Sequence, residues 1–461
     1  MAYLTKRISF LLAVAVLLAP SLAHAHARLV RSEPASGARS STSPVRIRLW
    51  FSERPEVAMT FAGLKDSGGN SIPLGKPARI EGDKLGIEFS VQRWLAPGRY
   101  KLSWQTAAAD GHPLHGELSF EVLPSATATS PPVASRADLP VSESPAAKAS
   151  TPINDDDHAA SIPNSAARAL LFIGLLVLIG SVTFALVVLP SAVDVNAESK
   201  ASMLALAART GIGAAILIAA TALLRLNLES MMMKAMPDMP GMAGITTQDM
   251  VINTTWGVAF MLQLASAIIA LLAFVMAVRR IVWAWYLAAA CAVVLAITPA
   301  LSGHAAATLN VTGLVIFSDW LHVLAGGAWL GTLFCVMTIG IPVACKCEGD
   351  ERWTCVSSLV RMFSKVAMLS VATIVISGAF ASWIHLTALS DLWNTTYGKT
   401  LLAKIVLALV ALSAGAYNFK RVQPQLQHEH GTSALRRSAT AELATGVLIL
   451  IVTGFLTGLS P

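Results

Sequence analysis

The chain has 461 residues, of which 54% are hydrophobic and 13% are charged, and its formal net charge is +7. A single soluble core does not need so large an apolar share, so the composition favours two or more units, one of them in a membrane. The Lys and Arg residues lie in short patches between long apolar runs. This is the distribution of a membrane topology, and it argues against a nucleic-acid partner.

Residues 1–25 are typical of a signal peptide. Lys6 and Arg7 precede an apolar run that is too short to span a bilayer, and Ala23-His24-Ala25 is a small-x-small cleavage pattern. Cleavage after Ala25 makes His26 the first mature residue. The same rule also allows two neighbouring cleavage positions, so it leaves the register open.

Residues 26–123 are predicted to form a small all-β domain, a Greek-key sandwich or barrel. Three segments alternate apolar and polar residues and are separated by clusters of Gly, Pro and Asp. The apolar positions are Val45, Ile47 and Leu49; Tyr100, Leu102 and Trp104; and Leu118, Phe120 and Val122. The chain has no cysteine before Cys291, so we expect this domain to fold without disulfides.

Residues 124–164 are rich in Ala, Ser, Pro and Thr without apolar periodicity, which predicts a disordered linker. From there to residue 461 apolar stretches long enough to span a bilayer recur, and they predict an all-α domain of about eight transmembrane helices. Their centres lie near residues 179, 213, 267, 292, 328, 374, 410 and 449.

The distribution of basic residues predicts the orientation of these helices. If the β-domain is exported, Arg279-Arg280 and the segments 346–365 and 420–437 all fall on the cytoplasmic side. The chain is therefore expected to be a multi-pass protein of a bacterial inner membrane, with its N-terminal domain in the periplasm.

Three residues of the β-domain could bind Cu(II). A mature N-terminal His26 offers an amine and an imidazole, and Asp110-Gly111-His112 adds a carboxylate and a second imidazole, which is the nitrogen and oxygen set that Cu(II) prefers. By itself, the Asp-Gly-His tripeptide is also an ordinary turn.

The surrounding motifs resemble the periplasmic copper-binding CopC family. They are His26-Ala27 through Ser32-x-Pro34-Ala35, Leu49-x-Phe51-Ser52-Glu53, Tyr100-x-Leu102-x-Trp104, and Asp110-Gly111-His112-Pro113 with Gly116. The resemblance implies that His26, Asp110 and His112 bind Cu(II) and that cleavage follows Ala25.

A methionine-rich segment follows the second predicted transmembrane helix. It contains Met231, Met232, Met233, Met236, Met239 and Met242, and thioethers favour Cu(I). Met233, Met236, Met239 and Met242 recur at every third position, and Pro237 and Pro240 oppose a helix, which suits a flexible chelating loop. An apolar loop at the membrane surface is the alternative.

Three histidines are predicted at the outer ends of the membrane helices: His304, His322 and His385. An ionisable group there is costly unless it meets a cavity, a partner or a ligand. His304 and His322 are the candidate intramembrane copper ligands, with Asp319 as a partner that fixes an imidazole tautomer.

These helices resemble the CopD family, which often occurs beside CopC or fused to it. The motifs are Gly303-His304-Ala305, Asp319-x-x-His322 continuing to Trp329-x-Gly331, and Tyr397-Gly398-x-x-Leu401-x-x-Lys404. On the far side of the membrane, Cys345, Cys347 and Cys355 could receive Cu(I) or could be incidental.

The sequence therefore predicts a copper-binding protein of copper homeostasis and resistance, without enzymatic activity, which takes up periplasmic copper across the inner membrane. Its expected partners are Cu(II), Cu(I), the lipid bilayer and other periplasmic copper carriers. Two alternatives remain: a copper-dependent redox protein, and a haem-binding electron carrier whose membrane histidines are axial ligands.

Overall fold

The structure is a computed structural model that describes residues 28–107, 113–124, 162–234, 246–303, 312–347, 351–386, 388–425 and 429–459. The predicted signal peptide and most of the predicted linker lie outside these residues. The first helix begins at Ile162, which is inside the range predicted as linker.

The N-terminal domain consists of two packed β-sheets, and no helix longer than the 3-10 turn Val57–Met59 is found in its described part. One sheet has the strand order β1-β3-β7-β6 and the other has the order β2-β9-β8-β4-β5. The strands are β1 (Leu29–Glu33), β2 (Arg39–Ser40), β3 (Arg46–Phe51), β4 (Phe61–Asp66), β5 (Ser71–Ile72), β6 (Ala78–Arg79), β7 (Gly86–Ser90), β8 (Gly98–Ala107) and β9 (Pro113–Val122). All pairings are antiparallel except that of β2 with β9.

The predicted alternation accounts for the core between the two sheets. Ile47 and Leu49 point inward from β3 and meet Leu102, Trp104 and Leu118 from the facing sheet. Such one-sided burial is what period-two patterning produces in a sandwich. Val45 is the exception, because it lies just before β3 and is 73% exposed.

The described residues of the second part of the chain are all-α, and eight of their helices are long and apolar enough to cross a membrane. Each of these eight candidate membrane-spanning helices contains one predicted centre. The helices are α1 (Ile162–Ser191), α2 (Ala197–Lys234), the short α3 (Thr247–Asn253), α4 (Thr255–Val278), α5 (Trp283–Leu301), α6 (Thr312–Ala344), α7 (Glu351–His385), the short α8 (Asp391–Asn394), α9 (Thr396–Val422) and α10 (Glu429–Leu456).

Glycines allow α1 and α6 to touch backbone to backbone. A Cβ atom added to Gly331 would lie 1.8 Å from the Leu176 carbonyl oxygen, and one added to Gly180 would lie 2.0 Å from the Gly331 carbonyl carbon. Small residues at a crossing point are the usual means by which membrane helices approach closely. This crossing joins α6 to the first half of the bundle.

Candidate functional site

One end of the β-sandwich carries the anchors of the predicted Cu(II) ligands. His26, Asp110 and His112 lie outside the described residues, but the chain after His26 and on both sides of residues 108–112 is described. The Arg28 N–H donates to Ser52 Oγ at 2.9 Å, and the Glu56 N–H donates to the Ala107 carbonyl oxygen at 2.8 Å. Arg28, which follows His26 by two residues, and Ala107, which precedes Asp110 by three, therefore both contact the short segment 52–56.

That same segment docks on the membrane domain. Glu56 Oε1 accepts a hydrogen bond of 3.0 Å from the Thr255 N–H in the first turn of α4. A carboxylate is favourable there because the first amides of a helix are unpaired and its dipole is positive. Glu56 is 7% exposed, so the contact is shielded from water.

The neighbouring turn strengthens this contact. The 3-10 turn Val57–Met59 packs against α3, which begins with a capping box formed by Thr246 and Asp249. Hydrogen bonds from the Thr246 amide and hydroxyl lower the pKa of Asp249, so the cap is ionised near neutral pH. We call the end of the bundle that bears this contact the β-domain end and the opposite end the far end.

The methionine segment begins in a helix. α2 continues to Lys234, so Met233 belongs to its last turn and does not lie in a loop, contrary to the prediction. Met236, Met239 and Met242 lie outside the described residues. Met232 Sδ accepts a hydrogen bond of 3.5 Å from Asn164 Nδ2, which ties the end of α2 to the start of α1.

His322 lies inside the bundle, about 15 Å along α6 from its first residue, Thr312. Its Nδ1 is 2.9 Å from Ser377 Oγ on α7. The Ser377 hydroxyl has one proton and donates it to the Thr373 carbonyl oxygen at 2.7 Å, so it accepts from His322 Nδ1–H. This tautomer leaves the lone pair of Nε2 available to a ligand.

Two charged residues lie near the His322 imidazole. Asp319 lies one turn earlier on α6, and Lys404 on α9 is close enough to interact electrostatically with both Asp319 and His322. Tyr397 interacts with Asp319 and also makes an edge contact with His385, with ring centroids 6.1 Å apart. We call Asp319, His322, Ser377, Tyr397 and Lys404 the α6–α9 cluster.

Sequence reasoning named Lys404 only as part of the CopD motif, without a role at this site, and missed Ser377. Lys404 had a detectable signal, since a lysine inside an apolar span is rare and costly. Ser377 had none, because a hydroxyl group within a membrane helix is common. The predicted partner His304 lies outside the described residues. In the ranges that the structure covers, no group of three His, Cys, Asp or Glu side chains is arranged to hold a metal.

A second polar network lies deeper in the bundle. The carboxylate of Glu442 on α10 accepts hydrogen bonds from Trp329 Nε1 at 2.9 Å and from Asn418 Nδ2 at 3.1 Å. Glu442 is 2% exposed, and Asn418 also contacts Ser438. Buried polar groups are stable when they are paired in this way, and here the pairing joins α6, α9 and α10.

Comparison with known proteins gives matches along the chain. Residues 29–123 match the family described as "CopC domain", residues 159–314 match "Copper resistance protein D-like, N-terminal domain" and residues 357–456 match "Copper resistance protein D". These matches agree with the resemblance noted in the sequence.

Two curated relatives match the chain over very different lengths. "Copper transport protein CutJ" of Bacillus subtilis (strain 168) is 23% identical over 444 residues, which are 95% of this chain and 75% of the relative. "Copper resistance protein C" of Pseudomonas syringae pv. tomato is 33% identical over 127 residues, which are 26% of this chain and 98% of the relative.

Solved structures resemble the β-domain. CopC from Methylosinus trichosporium OB3b is 23% identical and is covered completely by 23% of this chain, with a TM-score of 0.21. PcoC from Escherichia coli, "a Methionine Rich Copper Resistance Protein", is 26% identical; 99% of it is covered by 21% of this chain, with a TM-score of 0.20.

Proposed function

Because this chain belongs to the copper resistance proteins and joins a CopC domain to a CopD membrane domain, we propose that it captures periplasmic copper and moves it inward across the inner membrane. The contact between Glu56 and Thr255 carries the proposal, since it attaches the segment that anchors the copper ligands to the bundle. The family establishes a copper-related membrane protein. The inward direction, the periplasmic orientation and the ligands are our proposals.

Capture takes place at the β-domain end. His26, Asp110 and His112 hold Cu(II), a set of nitrogen and oxygen donors that suits this ion. The thioethers of Met233, Met236, Met239 and Met242 hold Cu(I), for which soft sulfur donors are preferred. The ion is the cargo of the protein, and other periplasmic copper carriers are its expected source.

Passage begins at the α6–α9 cluster. Ser377 holds the His322 ring so that Nε2 is a free donor, and His304 is the proposed second imidazole. Asp319 and Lys404 are close enough to compensate each other's charge, so neither is left unpaired in the apolar region beside the proposed site.

The basic residues support the orientation. Arg279 and Arg280 are exposed beyond the end of α4, and Lys346 follows α6, so all three lie at the far end. The positive-inside rule assigns such an end to the cytoplasm. The β-domain then faces the periplasm, where the signal peptide would deliver it.

The test is copper accumulation per molecule in cells that express His322→Ala or His322→Asn. Asn can keep a hydrogen bond to Ser377 but has no imidazole Nε2. We expect both variants to lose uptake, with His322→Asn more abundant in the membrane because the buried serine stays paired. Accumulation is normalised to the amount of protein in the membrane fraction.

Three results would contradict the proposal. Normal accumulation in His322→Asn would show that Nε2 does not bind copper. Higher cellular copper without the gene would indicate export. A Soret band in the purified protein would favour the haem alternative.

A further inference from the structure

Three of the five cysteines lie together at the far end of the membrane domain. Cys345 and Cys347 follow the last residue of α6, Ala344, and Cys355 lies in the second turn of α7. All five cysteines are among the described residues, and none forms a disulfide. These three thiols are therefore available for other chemistry.

Two of the thiols are in contact. The side chains of Cys347 and Cys355 are within hydrogen-bonding reach of each other. The Cys355 thiol also donates to the Asp194 carbonyl oxygen at 3.1 Å, and Cys347 Sγ lies 3.6 Å from Ser199 Oγ. Asp194 lies in the connection between α1 and α2, and Ser199 lies in the first turn of α2, so the pair is held by a different part of the chain.

The three cysteines differ in their exposure to solvent, from buried to exposed. Cys355 is 2% exposed, Cys347 is half-buried and Cys345 is exposed to solvent. Cationic side chains flank them, namely Lys346, Arg352 and Arg361, the last of which is paired with Asp194 at 3.3 Å. The thiolate is the form of cysteine that binds metals.

Among the ions that such a group could take, Cu(I) fits best. Thiolates are soft ligands that select Cu(I), whereas Cu(II) prefers nitrogen and oxygen donors. A pair of thiolates is sufficient for a first complex, which agrees with the lack of a preformed three-ligand metal group among the described residues.

We propose that Cys347 and Cys355 bind Cu(I) at the far end of the bundle and that Cys345 passes the ion to a thiol-bearing acceptor in the cytoplasm. Each cysteine that binds releases one proton to solvent as its Cu–S bond forms, and copper remains Cu(I). At the exit, the acceptor's thiolate forms a new Cu–S bond while one to this chain breaks. Only the inward direction rests on the proposed function.

The experiment uses the full-length protein, purified in detergent and kept anaerobic and reduced. Cu(I) is titrated in competition with a chromogenic Cu(I) chelator, while the thiolate-to-copper charge-transfer absorbance is recorded. The test variant is Cys347→Ser/Cys355→Ser. The control is Cys291→Ala/Cys335→Ala, which removes the same number of thiols from buried positions elsewhere.

We expect the test variant to lose one tightly held Cu(I) and the charge-transfer absorbance, and the control to keep both. The same Cu(I) stoichiometry and absorbance in both variants would overturn the proposal. Thioethers give no thiolate-to-copper absorbance, so Cu(I) bound by the methionine segment does not contribute to this signal.

One further measurement tests the exit step separately. Cys345→Ser changes an exposed side chain, so it preserves the fold; we expect it to keep the absorbance but to slow transfer of Cu(I) to added glutathione. An unchanged transfer rate would remove Cys345 from the exit step. Because Cu(I) binding is measured without transport, a failure of the uptake proposal would leave this result unaffected.

Discussion

The tautomer of His322 depends on a single hydroxyl group. Ser377 donates its proton to the backbone of α7 and therefore accepts a hydrogen bond from His322 Nδ1–H, which leaves Nε2 free. A histidine in the same apolar surroundings without this serine could adopt either tautomer. A residue 55 positions away in the chain thus determines which ring nitrogen of His322 is left without a hydrogen-bond partner in this pair.

Asp319 and Lys404 form the charged part of the same cluster. Asp319→Asn leaves the Lys404 ammonium without its counter-charge in an apolar region, so we expect less protein in the membrane. Lys404→Gln leaves the Asp319 carboxylate alone and should have a similar effect. The double variant removes both charges and is expected to recover abundance, since the cost of an unpaired charge is gone.

The measurement is the amount of folded protein after detergent extraction, followed by size-exclusion chromatography. Lys399→Gln is the matched control, because Lys399 lies on the same helix but is exposed near its start. If the double variant is no more abundant than either single variant, the two charges do not stabilise each other.

At the scale of helices, α6 depends on its contact with α1. Gly331→Ala places a methyl group 1.8 Å from the Leu176 carbonyl oxygen, which forces the two helices apart. Gly326→Ala on the same helix meets nothing within 4 Å and replaces glycine by a better helix former. We expect a lower melting temperature for Gly331→Ala and an equal or higher one for Gly326→Ala.

Thermal unfolding of the two purified variants, followed by tryptophan fluorescence, gives this comparison. Equal melting temperatures would mean that the bundle adjusts at the crossing without cost. Trp329 reports on the same region, because its Nε1 donates to Glu442 beside the crossing.

The elements themselves were largely predictable, and their contacts were not. Hydropathy gives the eight spans because a bilayer imposes a minimum apolar length, and alternation gives the strands because one face of each is buried. The proximity of Lys404 to Asp319 depends on how α9 packs against α6, which no local pattern encodes. The helical position of Met233 was missed because the prolines that break the helix come later.

At the scale of the whole molecule, Glu56 joins the two domains. Glu56→Lys places a positive charge at the positive end of the α4 dipole, so we expect the domains to separate. Glu81→Lys makes the same charge change at an exposed position of the β-domain. Hydrogen exchange of the peptide that contains Thr255 should become faster in Glu56→Lys and stay unchanged in Glu81→Lys.

Copper uptake should likewise be impaired in Glu56→Lys and unchanged in Glu81→Lys. The impairment of Glu56→Lys should be largest at low external copper. Unchanged hydrogen exchange at Thr255 in Glu56→Lys would show that the carboxylate does not protect that amide.

The docking contact also affects the rate at which copper enters the bundle. A carrier that must find the bundle by diffusion delivers its ion at a rate proportional to its own concentration, so delivery slows when the carrier is scarce. A carrier held at the entrance has an effective concentration that short tethers place in the millimolar range, whatever the supply outside. For the transfer proposed above, the hydrogen bond from Thr255 to Glu56 would help to make the step first-order, so that at scarce copper the rate would be set by loading of the β-domain and not by encounter with the membrane domain.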